Sequence, residues 1–314
     1  MKKGIISLGE ALIDFIPLDT DNITYQKSPG GAPANVAVGV ARLEAKSTFI
    51  GKVGNDVLGR FLQKTLADYG VNTSSMLLTD DIRTGVVFVT LEKGERSFDF
   101  YINPSADRFL TEEEIEEKLF DENKILHFGS ISLISEPTRS ATIKAVKLAK
   151  EKGLLVSYDP NLRLGLWDSK EAAKEQIIAM LPYADILKIS EEELEFITGE
   201  KDIKKGAEKL AIYEIPLLLV TLGSEGSYIF TREGNQHVPA RKVTTVDTTG
   251  AGDAFVSGIL YMANEWGGDI SAITLEKAVE MATFASVSGS LAASEKGAMT
   301  ALPSLEQVQS ILAK

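Results

Sequence analysis

The sequence predicts an α/β protein, a mostly parallel sheet flanked by helices on both faces with a small β extension. From about Lys46 onward, short apolar runs alternate with longer amphipathic segments, the pattern of strands joined by crossover helices. Two stretches, 14–31 and 84–103, break that rhythm with strand-like alternation of polarity. Neither can cover itself, so together they predict a projecting sheet that serves as a lid over a site or as a dimer surface. No internal repeat, low-complexity tract or Pro-rich linker divides the 314 residues. A single domain over 1–314, with a lid formed by about 14–31 and 84–103, is the expectation.

In chain order, Ile5-Ile6-Ser7-Leu8 reads as the first strand, and the strand-rich stretch from Asp14 to Gly31 follows it. Pro33 stands near the first position of a helix opened by Gly30-Gly31. Ser47 to Ile50 is a candidate strand and Val57 to Tyr69 a helix. Val86 to Leu91 and Ser97 to Tyr101 form a hairpin about the turn Glu92-Lys93-Gly94-Glu95. Four further strands are Ile125 to Phe128, Leu154 to Tyr158, Ile186 to Ile189 and Pro216 to Thr221. Helix-like stretches at Pro137 to Lys152 and Ser169 to Leu181 lie between them. Apolar residues after Ala254 (Phe255, Gly258, Ile259, Met262) repeat at helical spacing.

Composition excludes several functions. With 33 basic against 45 acidic residues the net charge is −12, which argues against binding nucleic acid or anionic membranes through bulk charge. The absence of cysteine removes disulfides, thiolate nucleophiles and Cys-ligated metals, and His127 and His237 are too few for a His-rich zinc site. Any metal should be a hard cation on oxygen ligands. The first residues lack the apolar stretch and cleavage site of a signal peptide, and no run approaches membrane-spanning length, so a cytoplasmic protein is expected.

The most informative run is Asp247-Thr248-Thr249-Gly250-Ala251-Gly252-Asp253-Ala254-Phe255. It sets a glycine loop and a carboxylate at a helix start, where backbone N–H groups and the positive end of the dipole suit a phosphate. Asp253 there either complements the dipole or takes a proton from an attacking hydroxyl. Gly30-Gly31-Ala32-Pro33-Ala34-Asn35 admits close approach, with Asn35 either capping the helix or offering its amide to a polyol. Asp14, in an apolar setting at the exit of the first strand, must be paired or face a polar ligand. Asp159-Pro160-Asn161-Leu162-Arg163 follows a strand at the sheet's carboxyl edge, where Arg163 can clamp an anion or pair with a carboxylate. Ser190-Glu191-Glu192-Glu193 matches a capping box and is also an acidic cluster able to hold water around Mg²⁺. Thr221 to Gly226 is a strand ending in a Gly-bounded turn. A P-loop is missing, and Leu8-Gly9-Glu10-Ala11 stands where a dinucleotide fingerprint would.

Taken together and in this order, these segments resemble the ribokinase-like family of carbohydrate kinases over nearly the whole chain. Gly30 to Ala37 is similar to its N-terminal signature and Asp247 to Phe255 to its C-terminal one. Gly9 to Phe15, Gly94-Glu95-Arg96-Ser97-Phe98 through Asp107, and Asp159 to Arg163 with Leu166-Trp167 look most like the fructokinase branch. The resemblance implies ATP-dependent phosphorylation of fructose on its 6-hydroxyl, with Mg²⁺ and room for K⁺. Asp253 would be the base and Gly250, Ala251 and Gly252 the anion hole. Asp14, Gly30, Gly31, Asn35, Arg96, Tyr101 and Arg163 would face the sugar. Lys188, Ser190, Thr221, Gly223 and Gly226 would line the nucleotide site, with Glu193 on Mg²⁺ through water. Asp247, Thr249, Ala292, Glu295, Gly297 and Ala301 would hold the monovalent cation. Two positions depart from the pattern: Ser190 stands where ribokinases usually carry Asn, and Ile102 where many fructokinases carry Arg. Other readings are a kinase of 2-keto-3-deoxygluconate, ribose or a nucleoside, or a non-catalytic regulator on the same fold.

Overall fold

Ile5-Ile6-Ser7-Leu8 offers no polar face to water, and in the computed structural model it becomes β1 (Ile5–Leu8), buried along its length. The structure describes residues 2–92 and 95–313, with the side chains of Glu92, Glu95 and Arg96 also outside the description. After β1 the chain leaves the main sheet for β2 (Leu12–Pro17) and β3 (Tyr25–Gly30), and returns through α1 (Ala32–Arg42) to β4 (Ser47–Gly54). Next come α2 (Val57–Asp68), β5 (Met76–Thr79), and the hairpin β6 (Val86–Glu92) and β7 (Glu95–Tyr101). A short α3 (Lys118–Glu122) leads to β8 (Ile125–Phe128), α4 (Thr138–Glu151), β9 (Leu155–Tyr158) and α5 (Lys170–Met180). Then follow β10 (Ile186–Ser190), α6 (Glu191–Thr198), α7 (Ile203–Leu210) and β11 (Leu217–Thr221). Two strands, β12 (Ser227–Thr231) and β13 (Gly234–Val238), precede α8 (Ala251–Glu265), α9 (Leu275–Ala293) and α10 (Leu305–Leu312).

The main sheet has nine strands in the order β13-β12-β11-β10-β9-β8-β1-β4-β5. Neighbours from β11 to β5 run parallel, and β12 and β13 turn antiparallel at the edge. Strand side chains feed cores on both faces. Ile5, Ile125 and Leu219 pack with α1, α8 and α9, while Ile6, Leu126 and Val220 pack with α4 to α7. Chain order reverses beside β1, which has β4 on one side and β8 on the other, so the carboxyl ends of these strands border a crevice suited to ligands. Among the described residues no helix is long and apolar enough to cross a membrane.

The predicted elements appear with small shifts at their ends. Pro137 and Lys152 cap α4, and Ser169 caps α5 by accepting from the Ala172 amide at 3.0 Å. The strand expected to stop at Ile50 runs on to Gly54. Lys52 makes this extension possible, because its buried ammonium pairs with Glu114 at 2.6 Å and donates to Phe109 O at 2.8 Å.

A second sheet, in the order β3-β2-β6-β7, is built from the two stretches that break the alternation. β2 runs antiparallel to β3 and parallel to β6, joining both stretches. Asp14, expected at the exit of the first main strand, instead lies within β2, opposite Ser28 on β3. Gly9, with φ of +151°, turns the chain out of the main sheet before Asp14 is reached.

α8 is secured at its C-terminal end. Lys124 Nζ donates to Ala263 O (2.6 Å), Asn264 O (3.3 Å) and Trp266 O (2.6 Å), placing a positive charge on carbonyls that the helix leaves unpaired. Replacing Lys124 by Met should therefore lower stability by about 2 kcal/mol, since a charge-assisted cap is lost while the aliphatic stem remains. Urea unfolding of the variant checks this, and an unchanged midpoint would mean that water replaces the ammonium without cost.

Candidate active site

The loop before α8 turns on Gly250, whose φ of +78° places it in the left-handed region as the N-cap. Ala251 N–H donates to Thr248 O at 3.2 Å, and Ala254 N–H makes the first helical bond, to Gly250 O at 2.8 Å. The amides of Gly252 and Asp253 are thereby left at the helix mouth without intrahelical partners. Asp253 is buried, and its Oδ2 accepts from Asn35 Nδ2 of α1 at 2.7 Å. Burial pushes the Asp253 carboxyl up to about 6; the Asn35 donor opposes this, Asp159 adds to it, and Lys188 and Arg163 pull back. A carboxylate so placed is ionised at neutral pH yet basic enough to accept a proton.

Lys188, on β10, stands over the same mouth. A methyl group on Gly252 would lie 3.7 Å from its Nζ, so ammonium and helix end present positive charge to one space. Asp159 holds the ammonium at 3.0 Å. Burial disfavours the charge on Lys188, but Asp159, Glu193 and Asp253 outweigh it and raise its pKa above the usual lysine value. The capping box predicted at Ser190 is present: Ser190 Oγ accepts from Glu193 N (3.1 Å) and Glu193 Oε2 accepts from Ser190 N (2.8 Å). Glu193 Oε1 also accepts from Leu162 N at 2.7 Å, fastening the loop after β9 to α6. A cavity of about 690 Å³ opens here, lined by Asn161, Arg163, Lys188, Ser190, Glu193 and Phe196. Lys188 is the link between this cavity and the α8 mouth.

On the side of the smaller sheet, Gly30 leaves room for Asp14: a methyl group there would lie 2.3 Å from Asp14 Oδ2. Burial raises the Asp14 carboxyl to about 6, with Arg163 opposing. Arg163 thus acts on both Asp14 and Asp253, although its own hydrogen bonds are to Asn161 O and Leu162 O. Gly31, at φ +104°, starts α1 directly against the Glu10 carbonyl. Asn35 keeps an unpartnered Oδ1 beside its bond to Asp253. Tyr101 is 64% exposed on the edge strand β7 and packs edge-on against Phe88 at 5.6 Å. The side chain of Arg96, and with it that expected sugar contact, lies outside the described residues.

The remaining expected residues fall in two places. Thr221 is in register with Ser190 at the carboxyl ends of β11 and β10, and Gly223 and Gly226 bound the turn that follows. Gly226 also packs so closely on Val238 O that a methyl group would come within 2.1 Å, so backbone packing alone requires it. Below the α8 mouth, Asp247 Oδ1 accepts from Thr249 N and Oγ1 and its Oδ2 from Gly297 N at 3.3 Å. Val246 and Asp247 amides both donate to Ala293 O, drawing Asp247 and Thr249 to the segment that carries Ala292, Glu295, Gly297 and Ala301. No cluster of three or more His, Cys, Asp or Glu side chains suited to a metal occurs among the described residues.

Sequence reasoning missed two buried carboxyls. Glu10 accepts from Ala32 N at 3.0 Å, and burial, then Asp107 and Asp253, raise it to about 8. Asp107, following β7, is raised by burial to about 6. Only the charge of Glu10 within Leu8-Gly9-Glu10-Ala11-Leu12 hinted at the first.

A carboxyl whose pKa is higher folded than unfolded binds more protons in the folded state, so it lowers stability as pH rises between the two values. His127 works oppositely: burial, helped by Lys188, holds it near 3, so stability is lost as pH falls below the ordinary histidine value. Comparison with a variant isolates one group. Relative to the unmutated protein, Asp253→Asn should gain stability as pH rises from about 4 to about 6 and hold the gain above, by about 2–3 kcal/mol. Urea unfolding of both proteins across that range checks this; a pH-independent difference would show that Asp253 is not held up by burial.

The description of the pfkB family carbohydrate kinases matches residues 2–305. The probable fructokinase-6, chloroplastic, of Arabidopsis thaliana is 48% identical over 320 residues, covering 99% of this chain and 82% of that one. A double mutant of the fructokinase from Vibrio cholerae O395, solved with fructose, ADP and potassium ion, superposes with a TM-score of 0.90 at 40% identity, covering 99% of each chain. The fructokinase of Xylella fastidiosa with bound ATP gives 0.92 at 34% identity, covering 100% of this chain and 99% of that chain.

Proposed function

The chain belongs to the pfkB family of carbohydrate kinases, and from that premise we propose that it is an ATP-dependent fructokinase converting fructose to fructose 6-phosphate. The observation that carries this reading is the buried Asp253 at the mouth of α8, with Asn35 on one side and Lys188 beyond Gly252. In the forward reaction Asp253 accepts the proton of the sugar's 6-hydroxyl as its oxygen bonds to the γ-phosphorus. The bond from that phosphorus to the β,γ-bridging oxygen breaks, and ADP leaves with the electron pair. The Gly252 and Asp253 amides and the Lys188 ammonium face the phosphoryl oxygens and stabilise the charge that develops on them.

Asp14, Gly30, Gly31, Asn35, Arg163 and, on the lid, Arg96 and Tyr101 are assigned to the sugar. The open Oδ1 of Asn35 is an acceptor for a sugar hydroxyl. Lys188, Ser190, Thr221, Gly223 and Gly226 are assigned to the nucleotide. Mg²⁺ fits the cavity beside Glu193, whose oxygens each already accept one backbone amide, so that its contact runs through water. Bound there, Mg²⁺ would neutralise phosphate charge. The smaller sheet acts as the lid and, through the face that carries the exposed Phe98, opposite the face of Tyr101, as a homodimer surface. The protein is assigned to the cytoplasm.

Coupled ADP release over a panel of fructose, ribose, 2-keto-3-deoxygluconate and nucleosides tests the substrate, and the highest kcat/KM should be with fructose. Asp253→Asn should stay folded and bind both substrates while single-turnover phosphorylation falls about a hundred- to ten-thousandfold. In the unmutated protein the rate should fall below pH of about 6 as Asp253 takes up its proton. Wild-type turnover by the folded variant would remove Asp253 from the chemistry.

Potassium should raise turnover, because an ion among the carbonyls of the 247–249 and 292–301 segments would brace the Gly250 cap. Equal rates in sodium-only and potassium buffers would eliminate that site.

A further inference from the structure

The body and the smaller sheet are joined at chain crossings, and two of them meet at Glu10. The first runs from β1 through Gly9 and Glu10 into β2, and the second from β3 through Gly31 into α1. Glu10 Oε1 accepts from Ala32 N, the first residue of α1, at 3.0 Å. Its carbonyl lies so close to Gly31 that a methyl group there would be 2.4 Å away, and Gly9 packs on the ring of Pro33 in the same way. One helical turn on, Asn35 N–H donates to Gly31 O at 2.8 Å and its side-chain amide reaches Asp253. Thus a single carboxyl touches both crossings and stands one turn from the group that holds the base.

We propose that Glu10 is a positioning residue, fixing the start of α1 against the lid crossing so that Asn35 meets Asp253 in the geometry needed for proton transfer. It touches neither substrate in this reading, which rests on the kinase function proposed above.

The charged groups that act on it most are Asp107, after β7, and Asp253, on α8, both carboxyls. Burial and these two neighbours raise Glu10 to about 8, so at neutral pH it serves as a neutral acid. Above that value a negative charge appears between Asp107 and Asp253 and works against the arrangement.

The test is the pH profile of kcat/KM for sugar in the unmutated enzyme, Glu10→Gln and Glu10→Ala, from pH 6 to 9.5. Glutamine keeps an acceptor for the Ala32 amide and cannot ionise. The unmutated enzyme should lose activity with an apparent pKa near 8, and Glu10→Gln should stay within about threefold of it at pH 7 and show no such loss. Glu10→Ala should lower kcat about ten- to a hundredfold while KM for ATP moves less than threefold, because it is the base that is misplaced. An alkaline loss that persists in Glu10→Gln, an unmutated enzyme with no such loss, or a Glu10→Gln variant inactive at every pH would each overturn the proposal. Where Glu10→Ala does not fold, the glutamine profile decides alone. Failure of the unmutated protein to phosphorylate any sugar would instead reject the kinase reading, which separates the two.

Discussion

Keeping an ionisable carboxyl dry at the first turn of α8 is the constraint on which the site depends. An isolated charge buried there would be costly, and proteins respond by neutralising it or surrounding it with compensating groups. Asp253 has the positive end of its own helix, the Asn35 amide, and attraction from Lys188 and Arg163, set against burial and the Asp159 charge. The balance leaves it poised near neutrality, and only a rigid frame can hold such a balance. α8 has that frame: Lys124 fastens its C-terminal carbonyls, Asp247 ties its cap loop to Gly297, and α1 supplies Asn35 from the flank.

The same economy of groups marks the Lys188 cluster. Asp159 keeps the lysine charged and aimed at the helix mouth, and Glu193 adds charge while its two oxygens secure Ser190 and Leu162. A capping role and the proposed water-mediated contact to a divalent ion are therefore compatible at Glu193. The capping box and the tie to the 159–163 loop make its carboxylate immobile, and an immobile carboxylate can order water around a divalent ion without losing entropy at the moment of binding.

Much of this was legible from sequence, for identifiable reasons. The strands from β8 to β11 are short apolar runs whose helices begin and end at recognisable caps, such as Ser169 and Ser190. Asp253 was visible because glycines and a carboxylate at a helix start make chemical sense locally. Asp14 was read as leaving the first strand although the 14–31 stretch was assigned to the smaller sheet, because a single glycine at positive φ diverts the chain between sheets and leaves no periodic signal. Lys52 obscured the end of β4, since its buried partner Glu114 lies far away in sequence. Glu10 and Asp107 were missed for the same reason: their burial is created by the meeting of crossings that no local window contains.

The arrangement of charge also bears on which acceptor the site prefers. On the side of the smaller sheet stand Glu10, Asp14 and Asp107, with Arg163 acting on Asp14. Asp14 and Asp253, each raised to about 6, are largely ionised at neutral pH and buried, so both gain from hydrogen-bond donors that a ligand brings. A neutral polyol supplies such donors through its hydroxyls. An acceptor carrying its own carboxylate would meet the like charge of Asp14 there, with Arg163 opposing it. In the proposed reading phosphate charge would fall instead to Lys188 and the α8 mouth, on the other side of Asp253. In the proposed reading, the buried carboxylates on the acceptor side, with Lys188 and the α8 mouth beyond Asp253, thus favour transfer from a polyanionic donor to an uncharged sugar over the same chemistry on an acidic one.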